Sequence, residues 1–135
     1  MTDGLDERGL PIDYQFKDDW EITPRDAKSR LDQGDDVILL DVRVDEEIKT
    51  ASVRGATHIP LSEIALRIDE LPDDDEQMIA TLCHRGRRSL QAAALLREYG
   101  YRNTYSVAGG IDLWARAADP AVPRYTRVAG QCRLI

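Results

Sequence analysis

Cysteine is scarce in this chain. Cys83 and Cys132 are the whole complement in 135 residues, too few for a disulfide framework or a zinc site. Long apolar runs are missing too. The longest, 37–40 and 92–96, are far too short to span a bilayer, which argues against a membrane partner or anchor of the helical kind. The Asp-x-Asp-x-Asp-Gly spacing of a calcium loop is absent. The acidic clusters at 17–21, 32–36 and 73–76 therefore read as solvated surface rather than metal ligands. No internal repeat or low-complexity tract breaks the pattern. The opening residues, MTDGLDERGLP, hold acids and no apolar stretch, unlike a signal peptide, so a cytoplasmic location is expected. Positive charge is also in deficit. A net charge of −7 disfavours nucleic acid and anionic membranes as partners.

What is present fits one soluble domain. The length can bury a real core without disulfides or metals. Residues 1–18 read as a polar N-terminal arm with sparse apolar anchors (Leu10, Ile12, Tyr14, Phe16) that lies across the domain or stays loose. A short strand at 20–22 leads to Thr23 as N-cap and Pro24 at the first helical position, with the helix stopping at Gly34. The run DVILLDVR (36–43), apolar and ending in charge, suits a strand buried on both faces of a parallel sheet. A short helix and loop follow, then a strand at ATHIP (56–60) in which His58 is structural. Ser62 is expected to cap a helix over 62–71. QMIATLC (77–83) is a strand ending at Cys83, and 89–99 is the clearest helix, closed by Gly100. NTYSVA (103–108) is a strand, Gly109–Gly110 a tight turn, and 111–118 the last helix. The tail, 119–135, holds Pro120 and Pro123 and is expected to be irregular, with Cys132 incidental to any chemistry. Alternating strands and helices over 19–118 define an α/β domain with a central parallel sheet flanked by helices on both faces. Sites in such folds lie beyond the carboxyl ends of the strands, where Asp41 and Cys83 both fall.

The stretch CHRGRRS (83–89) places one thiol beside three arginines. A cysteine that closes a strand and precedes a helix sits at unpaired N–H groups and roughly half a positive charge. With Arg85, Arg87 and Arg88 nearby, the sulfur is favoured as an anion and a nucleophile. If the turn curls over Cys83, its amides form an anion cradle, and Gly86 permits the backbone conformation that this needs. A small anionic substrate fits such a pocket. No metal or organic cofactor is required. His84 is either an exposed loop residue or part of the binding loop.

Three segments carry a resemblance. LLDVR (39–43), CHRGRRS (83–89) and VAGGIDLWA (107–115) resemble, in order and rough spacing, the signatures of the rhodanese-like sulfurtransferase family over about residues 20–117. The resemblance implies a parallel sheet with flanking helices. It implies that Cys83 takes a sulfane sulfur from an anionic donor such as thiosulfate and passes it, as a persulfide, to cyanide, a thiol or a sulfur-carrier protein. Carried over, Cys83 is catalytic, and His84, Arg85, Gly86, Arg87, Arg88 and Ser89 form the substrate-binding loop. Asp41 and Arg43 support it, with Asp41 expected to brace the loop through Arg88 or loop amides. One segment departs from the pattern. Where the family often has His-Ile-Pro-Gly-Ala, this chain has SVRGA (52–56), keeping Gly55 and Ala56 alone. DPAVPRY (119–125) resembles the end of rhodanese domains fused to enzymes that activate ubiquitin-like proteins.

Two other readings compete. A cysteine-dependent phosphatase or arsenate reductase also needs a thiolate in an arginine-bearing cradle. Four residues separate Cys83 from Arg88 here, whereas the phosphatase comparison implies five, and Ser89 stands where its arginine would fall. A non-catalytic binding module of the same fold commonly lacks the cysteine that this chain retains.

Overall fold

The computed structural model describes residues 4–135. Its centre is a five-stranded, all-parallel sheet. The strands are β1 (Glu21–Ile22), β2 (Val37–Asp41), β3 (Thr57–His58), β4 (Met78–Leu82) and β5 (Thr104–Val107), in the spatial order β1-β5-β4-β2-β3. The helices are α1 (Pro24–Asp32), α2 (Asp45–Thr50), α3 (Arg87–Glu98) and α4 (Gly110–Ala117). The expected α/β architecture is therefore the observed one. Among the described residues, no helix is long and apolar enough to cross a membrane.

Side-chain alternation along the buried strands builds two cores. Leu39, Ala80 and Leu82 face one side, with Ala27 of α1 and Ile111, Trp114 and Ala115 of α4. Leu40, Ile79 and Cys83 face the other, with Ala92 and Leu96 of α3 and Ile59, Ile64 and Leu71. Leu5 and Leu10 of the arm are buried against Ala108 and Leu113, so the arm lies across the domain.

Local chemistry sets the element ends. Thr23 caps α1 by accepting from the Asp26 amide at 3.1 Å, and Pro24 opens the helix. The helix expected over 62–71 is instead two 3₁₀ turns, Leu61–Glu63 and Ile68–Glu70. The Arg67 amide is shared between the carbonyls of Glu63 at 2.9 Å and Ile64 at 3.1 Å, and there the ladder slips to the tighter bonding. α3 begins at Arg87, two residues before Ser89, because Gly86 takes the N-cap position.

The tail departs most from expectation. It is not irregular throughout: β6 (Tyr125–Val128) and β7 (Gln131–Leu134) form an antiparallel hairpin. Ala129 and Gly130 turn it with φ of 52° and 78°, the paired positive values of a type I′ turn. Tyr125 is buried with the α1/α4 core, and β7 packs on α2. Cys132 lies half-buried on β7 and packs partly against that core.

Candidate active site

Parallel register brings the strand ends to one edge. Asp41 stands beside Leu82 on β4 and beside His58 on β3, and Cys83 follows Leu82 directly. The chain then turns sharply through His84–Gly86 into α3. Gly86 adopts φ of 104°, and a side chain there would press on the Gly109 backbone at 3.2 Å. Below the loop lies the N-terminus of α4. The amides of Ile111 and Asp112 donate to the carbonyls of Cys83 and His84 at 2.8 and 3.1 Å. Any side chain at Gly110 would clash with the His84 carbonyl. The Gly109–Gly110 turn is thus the floor on which the cysteine loop rests.

Cys83 is buried, with 1% of its surface exposed. Its Sγ accepts from the Gly86 amide at 3.0 Å, and its thiol lies 3.3 Å from Ser89 Oγ. Ser89 is fully buried, and its hydroxyl also meets Ser106 Oγ at 2.7 Å. Thr81 Oγ1 donates to the Ser89 carbonyl at 2.8 Å, tying β4 to the first turn of α3. The first-turn amides of α3 have no acceptor within the helix and point toward the sulfur's end of it.

The two acids expected or overlooked near the loop have separate partners. Asp41 does not brace Arg88. It is closed by Arg43, whose backbone N, Nε and Nη2 donate to it at 3.1, 2.9 and 2.7 Å. Both residues are buried, and Arg43 also donates to the Ala51 carbonyl at 2.8 Å. Because Asp41 and Leu39 point to the α1/α4 face of the sheet, Arg43 reaches Asp41 before Arg88 can. Arg88 is instead held by Glu47 of α2, through Nη1 and Nη2 at 2.6 and 2.9 Å. Glu47 also accepts from the Tyr125 hydroxyl at 2.6 Å, and Tyr125 accepts from Arg43 Nη1 at 3.0 Å. The result is one continuous chain, Asp41–Arg43–Tyr125–Glu47–Arg88, from the end of β2 to the cysteine loop.

The network fixes its own charges. Burial raises the Glu47 carboxyl, but the bonds from Arg88 and Tyr125 and the charges of Arg88 and Arg127 outweigh it and hold the group at about 2. Burial and the Glu47 bond push the Tyr125 hydroxyl up, so it stays a donor. His84 is not an exposed loop residue. Its ring stacks on Tyr125 with centroids 4.0 Å apart and 9° between planes, and Nε2 meets the Tyr125 carbonyl at 3.0 Å. Burial lowers its pKa against the opposing effect of that bond. Arg85 and Arg87 are exposed at the rim, while Arg88 is half-buried. His58 supports the wall from β3, donating from Nε2 to the Arg43 carbonyl at 2.6 Å.

Sequence reasoning missed Glu47, Tyr125 and Ser106. Glu47 was hidden in the acidic run 45–47, and Tyr125 in a tail punctuated by proline. A separate cavity of about 750 Å³ lies between the arm, β1 and α1. None of the cysteine loop lines it. Its Arg25 is occupied by the Ala117 carbonyl at 2.8 Å, and its Arg8 lies over Phe16, so the loop, not this cavity, carries the reactive group.

A parallel sheet with a thiol-bearing turn at its carboxyl edge, floored by a glycine pair, defines a class, and comparison identifies it. The rhodanese-like domain family matches residues 23–117, and the chain belongs to that family. It is 37% identical over 94 residues to the putative sulfur carrier protein YrkF of Bacillus subtilis, covering 70% of this chain and 50% of that protein. It is 36% identical over 105 residues to thiosulfate sulfurtransferase GlpE of Haemophilus influenzae, covering 78% of this chain and 96% of that one. The chain thus spans half the length of the first relative and nearly all of the second. The structure is similar to the human single-domain sulfurtransferase TSTD1, with a TM-score of 0.61 and 28% identity over 70% of this chain and 93% of that one.

Proposed function

We propose that this protein is a cytoplasmic sulfurtransferase that carries a sulfane sulfur on Cys83 from a small anionic donor such as thiosulfate to a thiol, or to cyanide. The observation that carries the reading is the setting of Cys83 Sγ: an amide donor at 3.0 Å and a hydroxyl at 3.3 Å, at the N-terminus of a twelve-residue helix. The amide and the helix N-terminus stabilise negative charge on the sulfur. Once Cys83 ionises, the Ser89 hydroxyl can rotate to donate to it, since a hydroxyl serves as donor or acceptor.

The chemistry balances with the chain's own groups. The Cys83 thiolate attacks the outer sulfur of thiosulfate, the S–S bond of the donor breaks, and sulfite leaves with the electron pair. The persulfide's outer sulfur then lies under the loop amides. An acceptor thiolate attacks that outer sulfur, and Cys83 leaves as thiolate. Arg85 and Arg87 at the rim draw the anionic donor in. Arg88, pinned by Glu47, holds the loop's closing turn in place. A phosphoryl group needs room for three equatorial oxygens and an in-line leaving group, and four residues between Cys83 and Arg88 make a small ring for it.

Intact-protein mass spectrometry tests the reading beside a phosphatase assay on the same sample. Thiosulfate should add the mass of one sulfur atom, removable by cyanide or dithiothreitol and absent in Cys83→Ser. Cys83-dependent turnover of an aryl phosphate with no sulfur adduct would overturn it.

A further inference from the structure

The N-terminal arm lies wholly outside the residues, 23–117, that match the family. It nevertheless packs on the floor of the site. Leu5 and Leu10 are buried, with Tyr14 and Phe16 beside them, against Ala108 and Leu113. Those two residues flank the Gly109–Gly110 turn. A side chain at Gly109 would meet Leu113 Cβ at 2.5 Å, and one at Gly86 would meet the Gly109 nitrogen at 3.2 Å. The Gly86 amide in turn donates to Cys83 Sγ at 3.0 Å. Arm, Leu113, Gly109, Gly86 and sulfur are therefore one stack, with no room for a methyl group at either glycine.

A buried carboxyl locates the arm on that stack. Glu21 of β1 is only 4% exposed and has no ion pair among the described residues. A buried polar group is costly unless it is hydrogen-bonded. Both bonds that Glu21 receives come from the arm, one from the Tyr14 hydroxyl and one from the Lys17 amide at 2.9 Å. Apolar packing is non-directional, whereas these bonds fix where the Tyr14 ring stands. Glu21 is beside Ser106, and Ser106 is beside Thr81, two residues before Cys83. Burial and the Glu21 carboxyl push the Tyr14 hydroxyl up, so it stays a donor. The Gly109 amide acts on it in the opposite direction and a charge on Cys83 in the same one, so both the turn and the sulfur are close enough to influence it.

Building on the sulfur-transfer reading, we infer that Tyr14 is a positioning residue for that reaction: bonded to Glu21 and packed with Leu10 on Ala108 and Leu113, it holds the glycine turn where the Gly86 amide stays on the sulfur. Tyr14 acts through the turn, not on donor or acceptor. A turn that sinks away from the loop lengthens the Gly86–Cys83 bond and weakens the stabilisation of the attacking thiolate. The effect therefore falls on the chemical step, while capture of the donor belongs to the rim arginines.

The test uses the full chain. Tyr14→Phe keeps the ring and removes the bond to Glu21. Tyr101→Phe is the matched control, since its hydroxyl donates to the Pro72 carbonyl at 2.9 Å, a contact that includes no residue of the loop or its floor. The sulfur adduct is followed by rapid quench against thiosulfate concentration, at a temperature where every variant is fully folded. At saturating thiosulfate Tyr14→Phe should be about tenfold slower than the parent, part of the ~100-fold that an ångström of misplacement can cost. The half-saturating concentration should change by less than about twofold, as for a residue outside substrate binding. In amide NMR spectra the Gly86 resonance should shift in Tyr14→Phe and stay in place in Tyr101→Phe, a signature that lost stability alone does not produce. Leu10→Ala loosens the arm but keeps the hydroxyl; it should slow the same step and move the same resonance, and it decides the matter if Tyr14→Phe does not fold. In either folded variant, a parental rate or an unmoved Gly86 resonance would overturn the inference. So would slowing confined to subsaturating thiosulfate, which would make the arm part of donor capture. If the parent protein takes up no sulfur from thiosulfate, the sulfur-transfer reading itself fails, and the role of Tyr14 in transfer falls with it whatever the Gly86 resonance does.

Discussion

Arg88 of the cysteine loop is held by Glu47 of α2 through two parallel bonds, and Glu47 has no solvent exposure at all. Two ends of one loop-to-helix contact are therefore unequal: the arginine keeps some water, and the carboxylate has none. Removing the arginine strands a buried charge, whereas removing the carboxylate frees an arginine that can turn outward. Arg88→Ala should destabilise the fold by about 3–5 kcal/mol, the usual cost of breaking a buried pair. Glu47→Gln, which keeps the shape, should cost less. Urea unfolding of the two variants checks the order, and equal losses below about 1 kcal/mol would refute it.

The same carboxylate predicts acid sensitivity. Its folded pKa of about 2 lies below the ordinary value of 4.5. Between those values the unfolded chain binds the proton and the folded chain does not. The stabilisation is complete above pH 4.5 and is lost as pH falls toward 2. Urea midpoints followed down this window should fall more steeply for the parent protein than for Glu47→Gln. Parallel curves would show that Glu47 does not set the slope.

Tyr125→Phe isolates the hairpin's polar contact from its packing. The ring and its stack on His84 survive. The hydroxyl that donates to Glu47 at 2.6 Å and accepts from Arg43 at 3.0 Å is lost. Leaving buried partners short of a bond costs about 1–3 kcal/mol. Tyr125→Ala also loses the ring and should cost more, about 3–5 kcal/mol. If the two variants unfold at the same denaturant concentration, the stack contributes nothing.

Most of the sheet and the loop were legible because both are local. The apolar run within 36–43, the Thr23–Pro24 helix start and the strand–cysteine–glycine–helix order of 77–99 each declare themselves within a few residues. Choice of partner was not. Arg88 is 41 residues from Glu47 and 47 from Asp41, and only the pleat of β2, which turns Asp41 toward Arg43, decides between them. The hairpin was available in principle. Ala129–Gly130 follows the β-forming stretch 125–128, a turn signal that Pro120 and Pro123 upstream overshadowed. The segment 61–71 has helical spacing of its apolar residues, yet bonding slips at Arg67, a choice that periodicity cannot register.

His84 gives a second pH window. Burial against Tyr125 lowers its pKa below 6.5, so the folded state keeps the ring neutral where the unfolded state protonates. Stability should be full above pH 6.5 and decline as pH falls below it. His84→Phe preserves a stacking ring and removes the proton. The variant should therefore show a flatter stability profile just below pH 6.5. An unchanged slope would place the titration elsewhere.

Arg85 and Arg88 should fail differently in sulfur transfer. Arg88→Ala loosens the closing turn of the loop and should lower the rate of persulfide formation at saturating thiosulfate. Arg85 is exposed and has no ion pair among the described residues, so Arg85→Ala should act on encounter, lowering the rate only at subsaturating donor and by less as salt rises. Rapid-quench measurements of the sulfur adduct against donor concentration separate the two. Equal effects at saturation would refute the division.

Two glycines with left-handed backbones offer a controlled test of the loop's floor. Gly100 takes φ of 100° after α3 and has nothing within 4 Å of where a Cβ would stand; Gly110 takes φ of 63° with the His84 carbonyl in that space. Alanine at either position must adopt a conformation that costs an L-residue about 1–2 kcal/mol. At Gly100 that backbone strain should be the whole effect, leaving persulfide formation at the parent rate. At Gly110 the methyl also displaces His84, and with it the carbonyls of Cys83 and His84 that Ile111 and Asp112 hold. Because Gly86 packs on the same turn, the amide facing Cys83 Sγ should move as well. Gly110→Ala should therefore lose persulfide formation by far more than its loss of stability explains, when both variants are compared at temperatures where each is fully folded. Comparable adduct rates for the two alanine variants would mean that the glycine turn does not position the loop.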